Sequence, residues 1–214
     1  MSGLRVVNLG LPKTGTTSLA RALKLAGFRV ADHRIRPRQT DIASLKDAFV
    51  ADILYQGYFH SGDPAEFFAD FTALTELSCL RKGKSLWPQM DYAIIDAIRR
   101  NNANVRFLAS RRESWDVSQS MLAWSDLGTD RLHAADIPGL PEGYGETSRE
   151  RIQWIDAHYA HLDAIFAGDA AYLEYDVTDA GSQAAVAWSC PGGVRQTRTR
   201  NTGQADAHIP SHRP

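Results

Sequence analysis

Short β-branched runs and helical stripes alternate along the chain. Arg5 to Leu11 (RVVNLGL) is apolar, β-branched at its start and closed by Gly-x-Pro, which predicts a buried strand. In Thr17 to Ala26, residues Leu19, Ala22, Leu23 and Ala26 recur at helical spacing, and Gly27 is placed to end that helix. Phe28 to Ala31 predicts a second strand and completes a βαβ unit. Helical stripes then recur over Thr40–Tyr55 (Ile42, Leu45, Phe49, Ile53), Asp91–Arg100, Trp115–Trp124 and Arg149–Phe166. The last is the longest, with Ile152, Ile155, Tyr159, Leu162 and Phe166 on one face. Strand-like runs lie at Ala73–Leu77, Val105–Ser110 and Ala171–Val177. A short helix is expected over Pro64–Phe71 and a Gly/Pro-rich loop over Asp136–Gly145. The alternation predicts an α/β fold of three layers, with helices on both faces of a central parallel sheet.

Composition narrows the reading. The 214 residues carry 24 Lys+Arg against 25 Asp+Glu, a net charge of -1, which argues against nucleic-acid binding driven by bulk positive charge. Hydrophobic residues make up 43% and charged residues 23%, so most of the chain should build a real core. Residues 1–185 are expected to form a single domain. The texture changes towards the end: Val194–Pro214 has almost no large apolar residue and no period, so 186–214 is read as an irregular tail. Two cysteines, Cys79 and Cys190, cannot make a disulfide framework and point to a reducing compartment. No Cys/His spacing fits zinc, so no metal is expected. No signal-like segment and no apolar run near the ~18 residues of a membrane span occurs, and the expectation is a soluble cytoplasmic protein.

The chemistry concentrates at Gly10–Ser18 (GLPKTGTTS), between the first strand and the first helix. Successive backbone N–H groups at the positive end of a helix dipole form an anion site. Gly15 permits close approach of the backbone, Thr16, Thr17 and Ser18 bring hydroxyls, and Lys13 brings a charge. A strand-to-helix turn with a threonine N-cap would need none of these together, so phosphate binding is the stronger reading. The loop departs from the ATP/GTP P-loop, which needs Lys directly before its final Ser/Thr; here Gly15 is followed by Thr16.

Pro12-Lys13-Thr14-Gly15-Thr16-Thr17-Ser18-Leu19 resembles the 5′-phosphosulfate loop of the sulfotransferases, which use 3′-phosphoadenosine-5′-phosphosulfate (PAPS). The resemblance implies a P-loop NTPase-like α/β/α fold and sulfuryl transfer from PAPS to a hydroxyl or amine, leaving adenosine 3′,5′-bisphosphate. It implies that Lys13 acts on the bridging oxygen, and that the loop from Pro12 to Ser18, Thr14 included, holds the 5′-phosphate. It also implies an arginine at a later strand end, with a serine one or two helical turns on, for the 3′-phosphate. Two registers fit: Arg112 with Ser120, eight residues apart, and Arg111 with Ser118, seven apart. The donor leaves a monophosphate, so no metal is required. Element order resembles the family over residues 5–177, and Trp124–Gly145 with the following helix resembles bacterial sulfotransferase-like proteins.

Family members use His or Glu as the general base. His33, His60 and Glu76 are the candidates, with His33 and Glu76 ranked level. The acceptor is expected to be a small molecule or glycan. Trp87–Asp91 could line an acceptor pocket, although a core tryptophan at a helix start is the plainer reading. His158 and His161 lack further metal ligands and are expected to be solvated or capped. Two other functions compete: a Mg²⁺-dependent P-loop nucleotide kinase, and a non-catalytic scaffold of the same fold that binds a ligand or protein. The sequence is silent on oligomeric state.

The tail admits one further expectation. Back-translated with a suitable codon choice, Val186–Asn201 read from its third base gives RVVLPWWGASNANTE, which resembles the Trp-rich ending of bacterial sulfotransferase-like sequences. A frameshift would produce this pattern, and the coding DNA tests it directly.

Overall fold

A computed structural model describes residues 3–81 and 83–179. The expected tail, 186–214, and the frameshift reading attached to it lie outside the described residues. A parallel sheet forms the centre. Its strands are β1 (Val6–Asn8), β2 (Val30–Ala31), β3 (Ala73–Leu74), β6 (Arg106–Arg111) and β7 (Tyr172–Asp176), in the order β2-β3-β1-β6-β7. Val6 pairs with Ala73 on one side and Arg106 on the other, which sets β1 in the middle.

Both faces of β1 are buried, which explains why Val6 and Val7 are both apolar. Val6 joins Leu19 and Leu23 of α1 (Thr16–Leu25), together with Phe28 and Leu108, on one face. Val7 joins the other face, covered by α2 (Val50–Ser61), α3 (Tyr92–Asn101), α4 (Ser114–Leu122) and α5 (Ser148–Ile165) through Ile53, Ile94, Val117 and Leu162. Successive strand residues point to opposite faces, so three layers result.

Two local expectations are corrected, and one element is added. The helix predicted over Thr40–Tyr55 is replaced by two 3₁₀ turns, Pro37–Gln39 and Ala43–Leu45, followed by α2. The chain reverses through Asp47 at φ 61, where the Ile35 N–H donates to the Ala48 carbonyl and the Asp47 N–H donates to the Ile35 carbonyl, and Ile42 is left exposed. Pro64–Phe71 forms successive tight turns through i to i+3 bonds, with Phe68 and Phe71 buried. A hairpin, β4 (Cys79–Arg81) with β5 (Lys84–Leu86), was not anticipated; its strands are too short to show a period.

Candidate active site

Every loop of interest leaves the carboxyl edge of the parallel sheet, where open α/β sheets place their ligand crevice. Asn8, buried at the end of β1, ties this edge together. Its Nδ2 donates to the Thr75 carbonyl at 2.9 Å and to Ser110 Oγ at 3.2 Å, while its Oδ1 accepts from the Ser110 N–H at 3.0 Å. The loop then runs hard against β6. A Cβ on Gly10 would meet Ser110 Oγ at 2.2 Å, so no larger residue fits. Thr14 is buried in the same knot: its hydroxyl donates to the Leu11 carbonyl at 2.6 Å and contacts Ser110 Oγ at 2.8 Å. From α5, His158 donates Nε2–H to the Leu9 carbonyl at 2.9 Å and Tyr159 donates to the Ser110 carbonyl at 2.6 Å. Burial pushes the His158 imidazole down to about 4, so of the two expected states, solvated or capped, this histidine takes the capped one and is a neutral brace.

Lys13 and Gly15 both take left-handed backbone, at φ 74 and φ 95. Gly15 is the N-cap of α1 and offers no side-chain cap, and no acid lies in the first turn. The opening N–H groups of α1 therefore have no partner within the helix or from a cap. By contrast α5 starts with a Thr147–Glu150 capping box, and α3 with Asp91 accepting from the Ala93 N–H. Thr17 and Ser18 stand exposed beside these groups, while the Thr16 hydroxyl donates to Glu76 Oε2 at 3.1 Å.

Lys13 extends so that its ammonium sits 3.5 Å from the centre of the Trp124 ring. A π-helical turn, Leu127–Arg131, packs back on the end of α4 so tightly that a Cβ on Gly128 would meet the Leu122 backbone at 2.8 Å. That packing fixes the turn beside Trp124. Burial lowers the Lys13 pKa; the charge of Glu76 opposes the shift and that of Arg112 adds to it.

Glu76 follows β3 and His33 follows β2, so both base candidates reach the same edge. Ser78 links them: its hydroxyl donates to Glu76 Oε1 at 2.5 Å, and its carbonyl takes the Nδ1–H of His33 at 3.0 Å. This bond fixes the tautomer and leaves the His33 Nε2 lone pair free. Burial lowers the His33 pKa, and it pushes the Glu76 carboxyl up to about 7. His60, the third candidate, is an exposed partner of Glu66 at 2.9 Å.

The two arginine registers separate. Arg111 donates to Glu174 Oε1 at 2.7 Å and lies over the Tyr159 ring. Ser118 is fully buried and accepts from Nε of Arg151 at 3.0 Å. Arg112 is held only loosely, 3.9 Å from Asp116, and Ser120 is partly exposed. The sequence reading missed Asn8, Trp124 and Arg151. Asn8 interrupts a buried apolar run, and Arg151 lies one turn before Ile155 on the buried face of α5, so both carried a signal. Trp124 carried none. Trp87 is buried edge-on against Trp154, and Gln89 is fully buried, so this stretch belongs to the core.

Among the described residues no group of three His, Cys, Asp or Glu could hold a metal ion, and no helix is long and apolar enough to cross a membrane. A family model described as a sulfotransferase domain matches residues 5–184. No curated protein matches the chain.

Proposed function

The chain belongs to the sulfotransferase domain family, and from that premise we propose that it moves a sulfuryl group from PAPS to a hydroxyl or amine of a small-molecule or glycan acceptor. One juxtaposition carries the reading: the uncapped start of α1, the ammonium of Lys13 and the loosely held Arg112 meet at one edge of the sheet. Three sources of positive potential at one edge support the binding of a nucleotide with phosphates at two positions.

The 5′-phosphosulfate lies on the loop, against the opening N–H groups of α1 and the hydroxyls of Thr17 and Ser18. Arg112 and Ser120 take the 3′-phosphate. They stand eight residues apart, and neither is committed as fully as Arg111 or Ser118. In the transfer the bond from sulfur to the leaving phosphate oxygen breaks while the bond to the acceptor oxygen or nitrogen forms. Lys13 neutralises the charge growing on the leaving oxygen. Glu76 accepts the acceptor's proton; its hydrogen bond to Thr16 sets it beside the loop, and a pKa near 7 suits a base at neutral pH. His33, linked to Glu76 through Ser78, helps hold the acceptor. A Mg²⁺-dependent nucleotide kinase fits less well, because the Lys-Ser/Thr pair that grips β- and γ-phosphates is missing.

The test follows the label of ³⁵S-PAPS into a panel of phenols, alcohols, amines and sugars. Wild-type protein should transfer it, and Lys13→Ala should lose about 30- to 1,000-fold of the rate, the effect of one charge-assisted contact at the transition state. Equal rates for the two proteins would overturn the assignment.

A further inference from the structure

Beside the proposed transfer centre, a cavity of 440 Å³ opens along the edge strand β2, and His33 forms part of its wall. The other walls are strongly basic: Lys24, Arg34, Arg36 and Arg38, with Asp32 as the opposing acid. These charges are not equivalent. Arg34 is spoken for, since its Nε donates to the Asp47 carbonyl at 2.7 Å and its Nη2 lies 3.6 Å from the Asp47 carboxylate. Asp32 accepts from the Thr75 hydroxyl at 3.2 Å. Among the described residues, Lys24, Arg36 and Arg38 have no carboxylate within ion-pair distance.

The backbone that carries Arg36 and Arg38 is fixed. Both flank Pro37 in the 3₁₀ turn Pro37–Gln39. Gln39 pins this turn to the sheet edge: its Nε2 donates to the Val30 carbonyl at 2.9 Å, and its Oε1 accepts from the Arg36 N–H at 2.8 Å. A run of surface cations is ordinarily a solvated face. Here Arg36 and Arg38 are unpaired and held on a pinned turn, and with Lys24 they gather around a concavity that shares a residue with the transfer centre.

We propose that this cavity is the acceptor subsite, and that it selects acceptors carrying an anionic group: a carboxylate, phosphate or sulfate beside the hydroxyl or amine to be modified. The anion rests on Arg36, Arg38 and Lys24, whose N–H donors match planar or tetrahedral oxyanions. His33, in the cavity wall, is tied through Ser78 to Glu76 and so joins the acceptor subsite to the proposed base. The volume suits a monosaccharide or a substituted phenol. The inference rests on the transfer reading above; without transfer the cavity would be an anion site of another kind.

The experiment is a calorimetric titration with matched probes, run with adenosine 3′,5′-bisphosphate at saturation so that the loop cannot take them. The probes are glucose against glucuronate, glucose 6-phosphate and glucose 6-sulfate, and 4-hydroxybenzamide against 4-hydroxybenzoate. At least one anionic member should bind about tenfold or more tightly than its neutral partner, as expected of a charge-assisted contact, and the three sugar arms tell the anion types apart. In the Arg36→Gln/Arg38→Gln variant, where both side chains are exposed and the fold should be kept, the preference should fall to within about twofold. Affinity for adenosine 3′,5′-bisphosphate should be unchanged. Equal or absent binding of all members to the wild type, or a preference that survives in the variant, overturns the proposal. If the nucleotide itself fails to bind, the donor reading is lost, and the same probe pairs titrated alone still decide whether the cavity prefers anions.

Discussion

The ammonium of Lys13 lies 3.5 Å from the centroid of the Trp124 indole, which is itself 52% exposed. A cation held over an aromatic face gains about 0.5–2 kcal/mol, more as water is excluded. Lysine is otherwise a long, loosely ordered side chain, so the ring keeps the charge at the mouth of the loop. Trp124→Leu should therefore lower kcat about 2- to 30-fold, with affinity for adenosine 3′,5′-bisphosphate nearly unchanged, and Trp124→Phe should keep most of the rate. Steady-state kinetics with nucleotide titration checks this. A fully active leucine variant would mean that the ring does not position Lys13.

Arg112 and Arg111 should separate by nucleotide. Arg112→Ala should weaken adenosine 3′,5′-bisphosphate by roughly tenfold or more while leaving adenosine 5′-phosphate within about threefold, because only the former has a 3′-phosphate. Arg111→Ala should act mainly on stability, since it abandons Glu174 at 2.7 Å. Binding isotherms and melting curves for both variants decide the register, and a 3′-phosphate effect confined to Arg111 would reverse it.

Glu76 makes stability depend on pH in a definite direction. Its folded pKa, about 7, stands above the ordinary 4.5, so the folded protein holds the proton more tightly than the unfolded chain. That contribution is complete below about pH 4.5 and is lost as pH rises to about 7. Glu76→Gln cannot ionise, so its stability should match the wild type near pH 4 and exceed it by up to about 3 kcal/mol at pH 8. Transfer should be lost in the variant, and wild-type kcat/KM should rise with pH through about 7. Denaturant titrations across this range check the first claim; a difference independent of pH would place the Glu76 carboxyl in a solvated setting.

Asn8 should couple stability to nucleotide binding. Asn8→Ala strands the Thr75 carbonyl and the Ser110 N–H in the interior and should cost about 2–4 kcal/mol. It should also weaken adenosine 3′,5′-bisphosphate, because the same knot holds the loop. Asn102→Ala is the control: Asn102 accepts from the Leu4 N–H at 3.0 Å, ahead of β1 and so at the amino edge of the sheet. Its loss should lower stability alone. Equal effects of both variants on binding would separate the knot from the site.

Much of this was legible where the signal is local. β1 reads as a buried strand because both its faces are covered, and the strand-to-helix turn at GLPKTGTTS reads from its consecutive residues. Which serine of α4 faces inward was not legible, because it depends on the helix face. Ser118 and Ser120 lie two apart on α4 and so on nearly opposite sides, and only packing against Arg151 shows that Ser118 points inward. Long-range ties were equally hidden. Asn8 and Ser110 are 102 residues apart, and His33 meets Glu76 only through the Ser78 backbone and hydroxyl. The stripe over Thr40–Tyr55 misled because its apolar residues belong to separate pieces: Leu45 is buried from a 3₁₀ turn, Ile42 is exposed, and Ile53 lies in α2.

Calorimetric titration of the wild-type protein with adenosine 3′,5′-bisphosphate, with adenosine 5′-phosphate and with Mg²⁺·ATP in parallel tests the central claim most directly. The loop, Lys13 and Arg112 together predict tight binding of the bisphosphate without metal, at least about tenfold weaker binding of the monophosphate, and no advantage for Mg²⁺·ATP. Equal affinity for the two adenosine phosphates, or tighter binding of Mg²⁺·ATP than of the bisphosphate, would contradict a PAPS-dependent transferase.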